Sequence, residues 1–295
     1  MPCNRLLVVG VGLIGGSLAR ALKRAGFCAE VCAYDQDAGA LAEAQRLGVV
    51  DSFESDLSTA VAKSDIVVLA APIGAFDSLL PVVGAALSPK AILTDVGSVK
   101  GPIVELARRT LGLHLPRFVP GHPIAGTERN GVAASFAGLF EQRRVVLTPL
   151  PETDPGALQQ VRAMWEATGG LVEDMGVAEH DEVFAVTSHL PHALAFGLVE
   201  MLAGMPESRE IFRYAAGGFA DFTRIASSSP RIWHDIFMAN AGPVLAALAS
   251  YEARLDELKA AIDTRDSARL MRFLERAKQA RDRYTRAGPG REPSS

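Results

Sequence analysis

The sequence predicts an α/β protein in two parts, a doubly wound parallel sheet followed by an all-α C-terminal domain, and three observations carry that expectation. Short apolar runs bounded by glycine, proline or an acid recur from Leu6 to Asp174 and alternate with segments of helical spacing, the order that parallel strands and crossover helices require. A glycine-rich turn, Gly10-Val11-Gly12-Leu13-Ile14-Gly15, separates the first run from the first helical segment. From Ala178 onward the strand signal stops and only helical spacing remains.

Composition bounds the function classes. The 295 residues are 48% hydrophobic and 22% charged, enough for one large or two ordinary domains with a sizeable core. A net charge of −4 gives no bulk attraction to nucleic acid or to an anionic membrane, so an anionic substrate must be caught by a few local cations. The three cysteines, Cys3, Cys28 and Cys32, match no zinc-site spacing and read as reduced packing residues of a cytoplasmic protein; no metal is expected. The N-terminus runs straight into a strand, and no stretch approaches ~20 uninterrupted apolar residues, so neither secretion nor membrane spanning is expected.

Leu6 to Val9 forms the first strand and the pattern Leu18, Leu22, Ala25 the first helix, stopped by Gly26. Strand, G-x-G-x-x-G, helix is the context of a Rossmann-type dinucleotide site: Gly10, Gly12 and Gly15 allow the tight turn, and the backbone at Leu13 and Ile14 offers free N–H groups to a pyrophosphate. The second strand, Val31 to Tyr34, ends at Asp35, whose carboxylate suits an adenosine ribose diol and repels a 2′-phosphate; this favours NAD over NADP. Strands follow at 66–71, 92–94, 117–119, 144–148 and 171–174, with helical spacing at 38–48, 57–63, 75–87 and 157–167. The fourth strand leads to Ser98 and the fifth to Gly121-His122-Pro123, placing two groups able to share a substrate hydroxyl on adjacent strand ends. An unperturbed His122 titrates near ~6.5. Lys100 either reaches the cofactor or is solvated.

The helical half begins with a long helix from about His180, with a kink expected at Pro191, followed by helices at 232–248, 251–263 and 266–283. So much apolar helical surface implies a homodimer through this half. Gly217 to Arg224 breaks the helical pattern and reads as a loop, and Ser229-Pro230 restarts a helix. That loop either presents Arg224, with Trp233 nearby, to a carboxylate or forms a surface salt bridge. His189 and His192 suit a core or an interface as well as a site, and His114, His180 and His234 read as ordinary. The division expected is a nucleotide-binding domain at 1–174, a helical domain at 175–286 and a disordered tail at 287–295.

The stretches VVGVGLIGGSLARAL, TDVGSVK, GHPIAGTE, SHLPHALAF and GGFADFTRIASSSPRIWHDI, in that order, resemble the prephenate dehydrogenase family, which includes arogenate and cyclohexadienyl dehydrogenases of tyrosine biosynthesis. The resemblance implies that His122 is the catalytic histidine, that Ser98 shares its bond to the substrate hydroxyl, and that Arg224 binds the substrate carboxylate. It makes His192 a substrate-pocket residue and Asp221 and Trp233 supports of the arginine segment. The implied reaction is NAD-dependent oxidative decarboxylation of prephenate, with arogenate accepted to some degree. Glu128, six residues after His122, either reads the substrate side chain or serves locally, capping a helix or pairing with Arg129. An arogenate-specific enzyme and a non-catalytic NAD-binding redox sensor are the competing readings; the sensor needs no Ser98, His122 and Arg224 constellation.

Overall fold

The computed structural model describes residues 3–127 and 129–287, so most of the expected tail, 288–295, lies outside the described residues. Two compact units form, residues 1–241 and 242–295. The first begins with β1 (Cys3–Val9), α1 (Leu13–Ala25), β2 (Cys28–Tyr34), α2 (Ala38–Arg46), β3 (Ser52–Phe53) and α3 (Leu57–Ala62). It continues through β4 (Ile66–Leu69), α4 (Phe76–Ala86), β5 (Ile92–Asp95), α5 (Gly101–Thr110) and β6 (Phe118–Val119). These strands are parallel, in the order β3-β2-β1-β4-β5-β6. Leu6–Val9 of β1 and all of β4 are apolar at every position because both faces are covered: Leu6 and Val8 join one core cluster, Leu7 and Val9 the other. Strand order reverses between β1 and β4, which opens a crevice at the C-terminal strand ends.

The apolar runs expected as strands at 144–148 and 171–174 do form strands, but in a second sheet together with one that no apolar run marks. There β7 (Gly121–Pro123) lies antiparallel to β8 (Arg144–Leu147), and β9 (Leu171–Asp174), reached through α6 (Pro155–Ala167), lies parallel to β8. Pro120 offers no N–H to extend the β6 ladder, and the chain leaves the first sheet there to carry His122 across to Val146.

A buried ion pair fixes this departure. Lys100 and Asp95 have fully buried side chains and are hydrogen-bonded to each other. The Lys100 ammonium also donates to the Gly121 carbonyl at 2.7 Å, and the Asp95 carboxylate accepts the Gly121 N–H at 3.2 Å and the Gly97 N–H at 2.8 Å. Both backbone groups of the residue before His122 are therefore held from the end of β5. Burial lowers the Lys100 pKa, an effect only partly offset by the Asp95 carboxylate.

Helix α5 has no local side-chain cap. Its first N–H groups, on Lys100 and Gly101, donate at 2.8 and 2.7 Å to Asp181, which lies on α7 (Val177–Phe184). The helical region thus returns to the sheet, and the compact unit runs on to residue 241, well past the end of β9. Between α7 and α8 (Leu190–Ala203) a π turn occupies Ala185–His189. The irregularity expected at Pro191 falls just before it, so that proline sits in the first turn of α8, where its missing N–H costs little.

Next come α9 (Ser208–Arg213), α10 (Gly217–Thr223), a 3₁₀ turn at Arg224–Ser227 and α11 (Pro230–Ala239). The segment expected as a loop at 217–224 is thus largely helical. Its two glycines occupy the first turn, where they cost less than mid-helix, and Thr223 bonds back to the Phe219 carbonyl at 2.7 Å. Ser229 and Pro230 start α11 as expected, without a side-chain cap bond from the serine. The helix expected to end near 248 breaks at Asn240 instead.

The second unit is a helical hairpin, α12 (Ala241–Asp263) and α13 (Ser267–Ala287). Its turn places Arg265 at φ 51°, Asp266 caps the Arg269 N–H at 2.9 Å, and Arg276 pairs with Glu257 at 2.9 Å. Large apolar side chains are exposed in both units: Val186 at 52%, Met201 at 50% and Met238 at 68% in the first, Leu245 at 64% and Ile262 at 57% in the second.

Lys100→Met leaves Asp95 charged and buried without its cation. It is expected to lower unfolding free energy by about 3–5 kcal/mol, read from the urea midpoint, whereas Arg24→Ala, which breaks the exposed Arg24–Glu141 pair, should change it by no more than about 1 kcal/mol.

Candidate active site

The glycine turn is shaped by contacts that exclude side chains. Gly10 adopts φ +98° and donates its N–H to the Tyr34 carbonyl at 2.8 Å; a Cβ on Gly15 would lie 2.0 Å from the Gly10 carbonyl oxygen. Gly12, the N-cap of α1, behaves differently, since a Cβ there meets nothing within 4 Å and no side chain caps the helix. Open space over an uncapped helix N-terminus that begins at Leu13 and Ile14 fits a pyrophosphate. Asp35 stands just past β2, half-buried, with its carboxylate accepting the Val11 N–H at 2.9 Å and the Asp37 N–H at 3.0 Å. Helix capping falls to Asp37, which accepts from Gly39 and Ala40, and this leaves Asp35 tied to the glycine turn itself. The donor set is that of a dinucleotide cradle.

Ser98 lies half-buried in the segment between β5 and α5, and His122 lies at the centre of β7. The ion pair of Asp95 and Lys100 fastens the two segments together, Ser98 following the end of β5 and His122 following the end of the adjacent β6. Among the described residues the Ser98 hydroxyl makes no hydrogen bond.

His122 is not isolated. Its Nδ1 lies 2.9 Å from Nε2 of His180, whose Nδ1 lies 2.8 Å from the Asp181 carboxylate. Phe184 packs against both rings, at centroid distances of 4.8 and 4.5 Å. His122 is half-buried, and its surroundings push its pKa well below the ordinary histidine value, through burial first and then the positive potential of His180, Lys100 and His189. The expectation of titration near ~6.5 is thereby corrected downward. Burial likewise lowers His180, against the opposing pull of its bond to Asp181. Burial alone would raise Asp181, but the hydrogen bonds from His180, Lys100 and Gly101 outweigh it and hold the carboxyl below its usual range.

Three residues of this cluster are not among the expected site residues. His180 reads as ordinary, Asp181 carries no expectation of its own, and Lys100 reads as cofactor-reaching or solvated; Lys100 is instead fully buried. The available signal was adjacent His and Asp at the start of an apolar helix, immediately after the last strand.

Of the remaining candidates, His192 stacks on Trp233 with ring centroids 3.6 Å apart and bonds through Nδ1 to the Ser188 carbonyl at 2.9 Å. Trp233 also joins Val99 and Ile236 in a small core, which ties α11 to the Ser98 segment. Arg224 opens the 3₁₀ turn and is exposed, as is Asp221 on α10. Glu128 lies outside the described residues. His189, buried on the π turn, accepts at Nδ1 from the Asn240 amide at 3.1 Å, and the same amide donates to the Asp181 carbonyl at 2.9 Å. A cleft of about 270 Å³ adjoins β7, lined by Ile124, Ala125, Thr127, Phe136 and Leu139. Another, of about 460 Å³, opens at the N-terminal strand edge near Asn4, Asp65 and Lys90, away from the end where such sheets bind ligands.

Burial lowers the His189 pKa to about 4, and the shifts at His122 and His180 run the same way. Between the reference ~6.5 and about 4 the unfolded chain binds more protons, so stability is complete above the upper value and declines as pH falls through the window. Urea midpoints measured stepwise from neutral pH into that window should fall, and His189→Gln should shallow the slope.

A family model described as the nucleotide-binding domain of prephenate dehydrogenase matches residues 18–174, and one described as its dimerization domain matches 177–276. A cyclohexadienyl dehydrogenase of Zymomonas mobilis is 37% identical, covering 94% of this chain and 95% of its own. A Bacillus subtilis prephenate dehydrogenase is 34% identical over 95% of this chain and 76% of its own. The crystal structure of prephenate dehydrogenase from A. aeolicus, in complex with hydroxyphenyl propionate and NAD+, superposes with a TM-score of 0.89 at 41% identity, covering 94% of this chain and 97% of that one. With both halves matched and relatives aligned along nearly the whole length, the chain belongs to the prephenate dehydrogenase family.

Proposed function

We propose that the chain is an NAD-dependent prephenate dehydrogenase that oxidatively decarboxylates prephenate to 4-hydroxyphenylpyruvate, and that it accepts arogenate to a lesser degree. The carrying observation is His122: a neutral imidazole anchored through Nδ1 beside the Ser98 segment, at the ligand-binding end of a dinucleotide sheet. Bound NAD+ supplies the hydride acceptor. Gly10, Gly12 and Gly15 with the backbone at Leu13 and Ile14 hold its pyrophosphate, and Asp35 its ribose diol.

The substrate is a cyclohexadienol carrying a ring carboxylate. His122 takes the hydroxyl proton at Nε2 as the carbinol hydride departs, and Ser98 aligns the hydroxyl. The dienone so formed loses its carboxylate as CO₂ because loss restores aromaticity, and no strong base is needed. Arg224 binds the substrate carboxylate, with Asp221 supporting its segment; His192, held on Trp233, lines the pocket, and the discrimination between keto and amino side chains falls to the carboxylate of Glu128.

The functional division supported by the family matches is a nucleotide-binding part at 1–174 and a substrate and dimerisation part at 175–286. A second copy of the chain covers the exposed apolar helices. By length and composition the helical run Val177–Ala203 could also cross a membrane, with 17% of its most apolar window buried. It carries Glu179, His180, Asp181, Glu182, His189, His192 and Glu200, however, several of them engaged in the site, and lipid is a costly surrounding for such groups. A cytoplasmic homodimer satisfies both the apolar faces and these polar ones.

Purified protein given NAD+ and prephenate should produce NADH and CO₂; absence of turnover on prephenate would sink the proposal. His122→Ala should lower kcat by about 10²–10⁴-fold with KM nearly unchanged. Because His122 stays neutral well below ~6.5, wild-type kcat should be level through that pH and decline only in stronger acid.

NAD+ should be much preferred over NADP+, and Asp35→Ser should narrow the kcat/KM gap. Equal use of both cofactors by the wild type would remove Asp35 from the diol.

A further inference from the structure

The contacts of His122 form a one-directional chain. Asp181 receives hydrogen bonds from the backbone N–H groups of Lys100 and Gly101 and from His180, as an ionised carboxylate does. An ionised carboxylate can only accept, so His180 must carry its proton on Nδ1. A neutral His180 then has a bare Nε2, which can only accept. The partner 2.9 Å away is Nδ1 of His122, and that nitrogen must therefore be the protonated one. The bare nitrogen of His122 is Nε2, the only one of the two that can take a proton from a substrate hydroxyl.

We infer that His180 and Asp181 are positioning residues that fix His122 in its Nδ1–H tautomer and so make Nε2 the base. The inference rests on the proposal that His122 is the base and deepens it. The hydroxyl proton moves to Nε2, the Nδ1–H stays in place, and the resulting imidazolium is held by His180, whose own Nδ1–H remains on the Asp181 carboxylate. No proton travels along the chain, and no further reactant is required. Phe184, packed on both rings, keeps water from competing for these bonds. The charged or titratable groups bearing on His122 are His180 and Asp181 on α7, His189 on the π turn, and Lys100 with Asp95 at the end of β5.

Asp181 also caps α5, so His180 is the better probe. Its replacement by phenylalanine keeps a ring but removes the acceptor; glutamine restores an oxygen near Nε2 without imposing a single orientation. In ¹⁵N spectra of the apo protein, with His122 assigned by difference against His122→Ala, the wild type should show Nδ1 protonated and Nε2 bare at pH 7. His180→Phe should shift His122 towards Nε2–H and lower kcat about 10²-fold, with KM for prephenate and for NAD+ within about twofold of wild type. His180→Gln should recover part of that kcat. A protonated Nε2 in the wild type overturns the inference, as does a kcat for His180→Phe within about twofold of wild type. Should the phenylalanine variant not fold, the wild-type spectrum and the glutamine variant decide. If the wild type fails to oxidise prephenate, the functional proposal falls, while the nitrogen spectrum still reports whether the tautomer is set.

Discussion

The geometry of the site depends on how the residue before His122 is held. Gly121 has its N–H bonded to Asp95 and its carbonyl to Lys100, so one buried ion pair satisfies both of its backbone groups while joining β5 to β7. A buried pair is weak evidence for stability as such. Here it does a geometric job that apolar residues of the same volume could not do, because it provides both a donor and an acceptor to a strand that has just left the main sheet. The Ser98 segment lies between the two members of the pair and is fixed by the same bonds.

The helical region completes this arrangement rather than merely covering it. Asp181 caps α5 through the N–H groups of Lys100 and Gly101 and orients His180 against His122. Asn240, at the break after α11, holds the Asp181 carbonyl and His189 together, and Trp233 packs against Val99. The π turn at 185–189 carries His189 to Asn240, while Phe184, at the end of α7, meets the His180 ring as its i+4 neighbour on that helix. Such turns are frequent at functional sites because the extra residue re-aims side chains without ending the helix.

Most of the first half was legible in the sequence because its signals are local. Apolar runs, the glycine turn and Gly26 at the end of α1 mark their own positions, and β9 begins and ends where its run does. What was not legible is held by distant partners. Helix α5 has its cap on α7, β7 is three residues containing a histidine and a proline, and the pairing of Lys100 with Gly121 joins segments that carry no mutual pattern. His122 and Ser98 were visible as strand-end polar residues. His180 and Asp181 were not, since a His-Asp pair at a helix start looks like any solvated face until its neighbours are known. The loop expected at 217–224 misjudged two glycines that sit in a first turn.

The cap that Asp181 places on α5 has a consequence for the order in which the molecule can be finished. During synthesis the chain reaches Gly101 and the whole of β6 long before residue 181 exists, so α5 emerges with its leading N–H groups open and its anchor still unmade. Domains generally fold as they leave the ribosome, N-terminal first. In this chain the nucleotide-binding sheet can collapse early, but its catalytic edge must wait for α7, and a fragment ending at β9 would hold the cradle for a cofactor without the means to set its histidine.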